Sequence, residues 1–175
     1  MNPPPLPPQT WSQDEVTAYL NQPFLIAGKP VPGTEGMSIM QIEDEILRGG
    51  RFRVFLWNFS VIVVSFQRGT GVRFIRSNEG PGLYAWPWTL LSALVGWWGF
   101  PWGIFFTIHT FWINCMGGRD VTPDLLASVT GPERAASVLA RAAKPRAGFW
   151  LWLLRSFILM IPVVLYALIA WLASL

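Results

Sequence analysis

The octet GWWGFPWG, residues 96–103, lies in the middle of the longest uncharged run of this chain and decides how that run can fold. The run, residues 83–116, contains 34 residues and no Asp, Glu, Lys or Arg. One straight helix of that length would measure about 51 Å, far beyond the roughly 30 Å hydrocarbon core of a bilayer. Because glycine and proline interrupt helices, the octet predicts a turn and a short helical hairpin over 83–116. A re-entrant loop and one kinked span are the alternatives.

The octet is predicted to be a structural turn and packing motif. Its glycines let two helices approach closely, and its proline suits the first position of a helix. Its indole rings favour a membrane–water interface, where the ring N–H can contact water while the rest of the ring stays in an apolar environment. The residues assigned to this motif are Gly96, Trp97, Trp98, Gly99, Pro101, Trp102 and Gly103.

The second arm of the predicted hairpin carries a possible polar face. Thr107, Thr110 and Asn114 recur at helical spacing, and His109, the single histidine of the chain, lies among them. We interpret the three as contacts between helices, with a substrate path as the alternative. Cys115 lies six positions after His109 and is rotated about 120° away on a helix, so the two form no local nucleophile or metal pair. His109 is therefore predicted to be structural.

Composition and charge indicate a membrane protein. Hydrophobic residues make up 52% of the chain, and eleven are tryptophans. Residues 1–47 carry one base against six acids, and residues 48–175 carry twelve bases against four acids. Because the bases flank apolar runs, they favour membrane lipids with anionic head groups as partners and argue against nucleic acid.

A second uncharged run, residues 156–175, has the length of one transmembrane helix. Bases precede it, which predicts a cytoplasmic N-terminus and an outside C-terminus. Basic and tryptophan side chains near the apolar runs are predicted to anchor the chain at the membrane interface. These anchors are Arg119, Arg146, Trp150, Trp152 and Arg155.

Four consecutive domains are predicted. Residues 1–36 are a proline-rich cytoplasmic tail and linker with one short helix, and residues 37–122 are a motif-bearing, membrane-associated domain. Within the latter we expect a surface segment at 52–66, with a packed segment as the alternative. We also expect a β-hairpin at 60–76 turning near residue 70, and the helical hairpin at 83–116. Residues 123–146 form basic cytoplasmic helices, and 147–175 form the C-terminal transmembrane helix.

Helix-start signals locate four short helices outside the apolar runs. The capping boxes Ser12-x-x-Glu15 and Ser38-x-x-Gln41 predict helices near 13–20 and 39–48. Thr-Pro-Asp at 122–124 and Gly-Pro-Glu at 131–133 predict two more, each with a proline in the first turn.

We assign no catalytic, cofactor-binding or metal-binding residues. The sequence contains no phosphate loop, dinucleotide fingerprint or HExxH motif. Glu43, Asp44 and Glu45 are consecutive, so they splay around a helix and suit a solvated face better than a metal.

Three motifs carry a resemblance to a known family. They are GGRF at 49–52, GWWGFPWG followed by Thr107, and GGRDVT at 117–122. In this pattern the chain resembles a family of small, mostly bacterial membrane proteins of uncharacterised function. The resemblance covers about residues 48–122 and implies membership without an activity.

Together these observations predict an α-helical integral membrane protein. It has a short helical hairpin turned at GWWGFPWG, one C-terminal transmembrane helix, and a small β-hairpin and short amphipathic helices at the cytoplasmic side. The predicted function is a non-enzymatic interaction or scaffold subunit of a larger membrane complex, with other membrane proteins as partners. The alternatives are a transport or channel accessory with a re-entrant hairpin, and a membrane-embedded enzyme that uses His109.

Overall fold

A computed structural model describes residues 12–62 and 64–174. In chain order its helices are α1 (Gln13–Leu20), α2 (Ile39–Leu47), α3 (Gly82–Val95), α4 (Trp102–Cys115), α5 (Thr122–Thr130), α6 (Pro132–Arg141) and α7 (Gly148–Leu172). Its strands are β1 (Leu25–Ile26), β2 (Lys29–Pro30), β3 (Arg51–Val54), β4 (Leu56–Val61), β5 (Val64–Gly69), β6 (Arg73–Ile75) and β7 (Arg119–Asp120). The proline-rich segment at the start of the chain lies outside the described residues.

The predicted fold class, an α-helical integral membrane protein, is wrong. The described residues form a mixed α/β architecture of seven helices and seven strands in three sheets. Apolar content misled the prediction, because apolar side chains on one face of a strand raise hydropathy as much as those on a helix do. Helices α3 and α4 have 14 residues each, so each is about 21 Å long and short for a crossing.

The chain forms two compact units whose segments alternate along the sequence. Unit 1 comprises the described residues up to Val54, with Thr70–Glu79 and Arg119–Arg146. Unit 2 comprises Phe55–Gly69, Gly80–Gly118 and the described residues from Ala147 onward. The predicted domains, in contrast, are consecutive ranges.

Unit 1 has an apolar core under short helices. Both predicted capping boxes are confirmed, since Ser12 and Ser38 each accept a bond from the backbone of the third helical residue, whose side chain bonds back. The two proline-initiated helices are also confirmed as α5 and α6. Phe52 is fully buried in this core and stacks on Phe24, with ring centroids 5.1 Å apart. It also packs against Phe74 in a tilted arrangement, with ring centroids 4.7 Å apart.

Residues 12–36, predicted as tail and linker, contribute to this core. Tyr19, Leu20, Phe24 and Val31 are all buried in it. The segment has few apolar residues at regular spacing, so its packing is set by α2, α5 and the sheet and not by local periodicity. That sheet has the order β6-β3-β7, and all its strands are antiparallel, with Phe52 opposite Phe74 and Arg53 opposite Asp120.

Unit 2 consists of the β4–β5 hairpin, helices α3 and α4, and α7. The hairpin is antiparallel, with Leu56 opposite Gly69 and Val61 opposite Val64. Both α3 and α4 pack on β4, and α7 packs on α3. Trp86 Nε1 donates to the carbonyl of Trp150 at 3.0 Å, which links α3 to the first turn of α7.

The strand positions correct one prediction and bear on another. Residues 52–66, predicted as a surface or a packed segment, contain most of β3, all of β4 and the start of β5. The hairpin predicted at 60–76 occurs earlier: β4 and β5 flank residues 62–63, and β6 pairs with β3 instead. Ile62 turns the chain with a φ of +50°, a conformation in which a β-branched residue is rarely found, so sequence pattern favoured the glycines near residue 70.

Helix α7 is the one helix among the described residues that is long and apolar enough to span a membrane. It has 25 residues, and its most apolar 18-residue window has a mean hydropathy of 2.3. Pro162 lies within it.

Candidate functional site

The β4–β5 hairpin has its polar side chains inside and its apolar side chains outside. Asn58 and Ser60 of β4 are buried, whereas Phe59 is 40% exposed and Phe66 of β5 is 52% exposed. Register pairs Asn58 with Gln67 and Ser60 with Ser65 on the inner face, and Phe59 with Phe66 on the outer face. The outer face also carries Arg68, which is exposed opposite Trp57. A sheet with one face in water has the opposite arrangement.

Helices α3 and α4 present small and polar residues to the interior of unit 2. On α3 the buried residues are Gly82, Ala85, Thr89 and Ser92. On α4 they are Gly103, Thr107, Thr110, Phe111 and Asn114. Each set recurs at helical spacing, so each helix has one inward-facing stripe, which is small or polar except for Phe111. Small residues allow the helix backbones to lie close to the hairpin.

Asn114 and Asn58 tie the hairpin to both helices. Asn114 Oδ1 accepts from the amide of Leu56 at 3.0 Å, and its Nδ2 donates to the Leu56 carbonyl and to Thr89 Oγ1. Asn58 donates from its backbone to Ser92 Oγ at 3.0 Å and from Nδ2 to Thr107 Oγ1 at 2.8 Å. Because buried polar groups require partners, these bonds fix β4 between α3 and α4.

The glycines of GWWGFPWG fit against this hairpin. A Cβ on Gly96 would overlap Asn58 Nδ2 and Thr107 Oγ1. On Gly99 it would overlap Ser65 Oγ and lie 2.9 Å from Ser60 Cβ, and on Gly103 it would lie 2.8 Å from Ser60 Oγ. The octet therefore has glycine at the positions where the turn between α3 and α4 packs against the tip of the hairpin. This close packing requires glycine in addition to the reversal of the chain.

Three buried oxygen atoms lie under the octet without a hydrogen-bond partner among the described residues. They are Asn58 Oδ1, Ser60 Oγ and Ser65 Oγ. Ser60 and Ser65 oppose each other across the hairpin. The unpartnered polar atoms of unit 2 thus lie near the tip of the hairpin, under the tryptophan-rich octet.

His109 lies outside the polar interior. Its ring is exposed, and its Nδ1 lies 3.0 Å from Gln67 Nε2 and 3.2 Å from Gln67 Oε1. Gln67 Nε2 is also placed to donate to Thr110 Oγ1 at 2.9 Å and to the Phe106 carbonyl at 3.1 Å. Gln67 thus connects His109 with the buried residues of α4, while Thr107, Thr110 and Asn114 face inward and His109 does not.

The outer surface of unit 2 is apolar. Every large hydrophobic residue found exposed belongs to this unit, except Met40. The tryptophans of the octet take part in this surface, since Trp98 is 72% exposed. By sequence, the unit 2 ranges contain no Asp or Glu, and their charged residues are Arg68 and Arg155.

The predicted interface anchors fall in both units. Arg119 and Arg146 are exposed residues of unit 1, and Arg119 lies in β7 opposite Val54. Trp150 and Trp152 are exposed on α7 in unit 2. Arg155 is half-buried, and its Nε donates to the carbonyl of Cys115 at the end of α4, at 2.9 Å.

Sequence reasoning missed the hairpin residues of this site. Asn58, Ser60, Ser65 and Gln67 alternate with apolar residues, which is the period of a strand with two unlike faces. That alternation indicates a strand, although it could not show which face was buried.

Comparison with known proteins adds no further assignment: no family model, curated protein or solved structure matches the chain.

Proposed function

We propose that this chain is a non-enzymatic, membrane-resident interaction subunit of a larger membrane complex. Unit 2 is the part that enters the membrane and presents the interaction surface. The observation that supports this proposal is the inverted hairpin, with Asn58 and Ser60 buried and Phe59 and Phe66 exposed. Exposed apolar faces on both hairpin and helices are stable in lipid or against other apolar proteins, and are costly in water.

The interior of unit 2 favours a scaffold over a transport path. Thr107 and Asn114 are fully buried and occupied by hydrogen bonds to β4 and α3. Side chains that hold backbone strands in place cannot exchange partners with a passing solute without loosening the fold. The aromatic exterior, in contrast, leaves large apolar surface exposed, since Trp98 is 72% and Phe100 78% exposed.

For topology, we propose that α7 crosses the bilayer, with the N-terminus cytoplasmic and the C-terminus outside. Lys144 and Arg146 precede α7, and no base follows Arg155, which is the bias expected of a cytoplasmic flank. The motif resemblance also supports a bacterial inner membrane and membership of the family described above.

The experiment combines membrane extraction with site-specific crosslinking. A photo-crosslinking residue replaces Phe66 on the outer face of the hairpin, and the control carries it at Met40, the exposed apolar residue of unit 1. We expect both chains to remain in the pellet after alkaline carbonate extraction, and the Phe66 position to crosslink one defined membrane protein.

Two results would overturn the proposal. Release of the full chain into the carbonate supernatant would exclude membrane residence. Crosslinks from Phe66 to lipid alone, or the same crosslinked products from Phe66 and Met40, would exclude the interaction surface on unit 2.

A further inference from the structure

Helices α4 and α7 of unit 2 enclose an apolar groove of about 600 Å³. Its walls include Ile108 and Trp112 of α4, Ile158 and Leu159 of α7, and Trp97 of the octet. The volume lies within the range of pockets that bind small molecules. The groove lining extends from Ile108 to Met116, just after α4, and over 155–162 of α7, so it is roughly 10 Å long.

One charged side chain, Arg155, belongs to the described lining of this groove. Its Nε donates to the Cys115 carbonyl, one of the final carbonyls of α4 that have no partner within the helix. A guanidinium has five N–H donors in a planar fork. The remaining four, on the two Nη atoms, have no partner among the described residues.

Arg155 also lacks a counter-ion in its own unit. The unit 2 ranges contain neither Asp nor Glu, and no ion pair joins Arg155 to a described residue. A half-buried charge beside apolar walls is costly unless an anion neutralises it. An anion from outside the unit would therefore be favoured at this end of the groove.

We propose that the groove binds an anionic phospholipid. Its phosphate accepts hydrogen bonds from the free Nη groups of Arg155, and one acyl chain lies along the apolar walls toward Pro162. The charge complementarity is specific, because the planar fork of arginine matches two phosphate oxygens, and the adjoining walls match a hydrocarbon chain. This inference rests on the proposed membrane residence of unit 2.

The test measures lipid binding to the purified full chain in neutral detergent by native mass spectrometry. The probes are phosphatidylglycerol and phosphatidylcholine with identical acyl chains. Both lipids carry a phosphate, but the choline cation of phosphatidylcholine cancels its charge, whereas phosphatidylglycerol stays negative. We therefore expect phosphatidylglycerol to bind about tenfold more tightly, because it alone neutralises the charge of Arg155. Arg155→Gln should abolish that preference, and Arg155→Lys should keep part of it.

Two further variants separate the groove from general charge and from misfolding. Arg68→Gln removes the other charge of unit 2 and should keep the preference. Ile108→Trp fills the groove while Arg155 stays, and should weaken binding of both lipids. Thermal melts followed by circular dichroism identify any variant that fails to fold. If Arg155→Gln is unstable, the result for Ile108→Trp decides whether the groove binds lipid.

The proposal is overturned if Arg155→Gln and Arg68→Gln reduce the preference equally, if Ile108→Trp changes nothing, or if inorganic phosphate competes at the same concentration as the lipid. Carbonate extraction of the same chains distinguishes the two proposals. A chain that stays in the membrane but shows no lipid preference contradicts only the groove, whereas a chain released from the membrane contradicts the proposed function.

Discussion

At the scale of single residues, the octet shows why three glycines recur in a stretch crowded with large aromatics. Gly96, Gly99 and Gly103 lie where any side chain would enter the hairpin, while the tryptophans between them point outward. The spacing of these three glycines is therefore set by their contacts with the β4–β5 hairpin, which lies about forty residues earlier in the sequence. Sequence reasoning predicted the turn and the packing role, but the partner was not visible in it.

Gly99→Ala should destabilise unit 2 by about 1–3 kcal/mol, because the new methyl group overpacks the site beside Ser60 and Ser65. The matched control is Gly71→Ala, since a Cβ on Gly71 meets no atom within 4 Å. Thermal melts in detergent measure both variants. Adding Ser65→Ala to Gly99→Ala should restore part of the loss, because it removes the overlapping hydroxyl. Equal melts for the two alanine variants would mean that the octet does not pack as described.

At the scale of elements, unit 1 depends on an ion pair that joins two helices. Arg134 of α6 donates from Nε and Nη2 to the two carboxylate oxygens of Glu43 on α2, at 2.7 and 2.6 Å. This bond raises the pKa of the Arg134 guanidinium. Glu43 was expected on a solvated face, yet its side chain is only 6% exposed. The three consecutive acids Glu43, Asp44 and Glu45 do not indicate by their sequence that one of them contacts α6, about ninety residues later.

Arg134→Met should lower the stability of unit 1 by about 2 kcal/mol, because it leaves a buried carboxylate without its donors. Arg141→Met is the control, since Arg141 lies exposed on the same helix and bonds only within it. Hydrogen exchange of the α2 and α6 amides reports the loss. Equal protection in both variants would show that the Glu43–Arg134 pair contributes no more than a surface contact.

The elements also show which sequence signals were reliable. Local chemistry correctly located α1, α2, α5 and α6, because caps and prolines act within one helical turn. The hairpin was misplaced, because the turn at Ile62 requires an unusual backbone angle that no local residue pattern announces. The fold class failed for a related reason: hydropathy records how apolar a segment is, and not whether its apolar face points inward or outward.

At the scale of the whole molecule, the proposed topology can be tested on α7 alone. After Cys115→Ser, one cysteine is placed at Ser174, near the end of the chain, and in a second chain at Ser137 of α6. A membrane-impermeant maleimide should label position 174 in intact spheroplasts and position 137 only in inverted vesicles, because bases flank α7 on its N-terminal side. Labelling of both positions from one side would exclude a crossing by α7.

The interleaving of the two units has a consequence for how the chain must be made. Unit 1 draws its core from residues as distant as Tyr19, Phe74 and Val138, and both inner segments of unit 2 are synthesised between them. A ribosome therefore delivers 55–69 and 80–118, with their outward aromatics, before α5 and α6 exist to complete unit 1. The last 57 of 175 residues are still to be made when residue 118 has been added. On the proposed membrane residence, we expect unit 2 to begin inserting during translation, and no cut at a single point can release either unit whole.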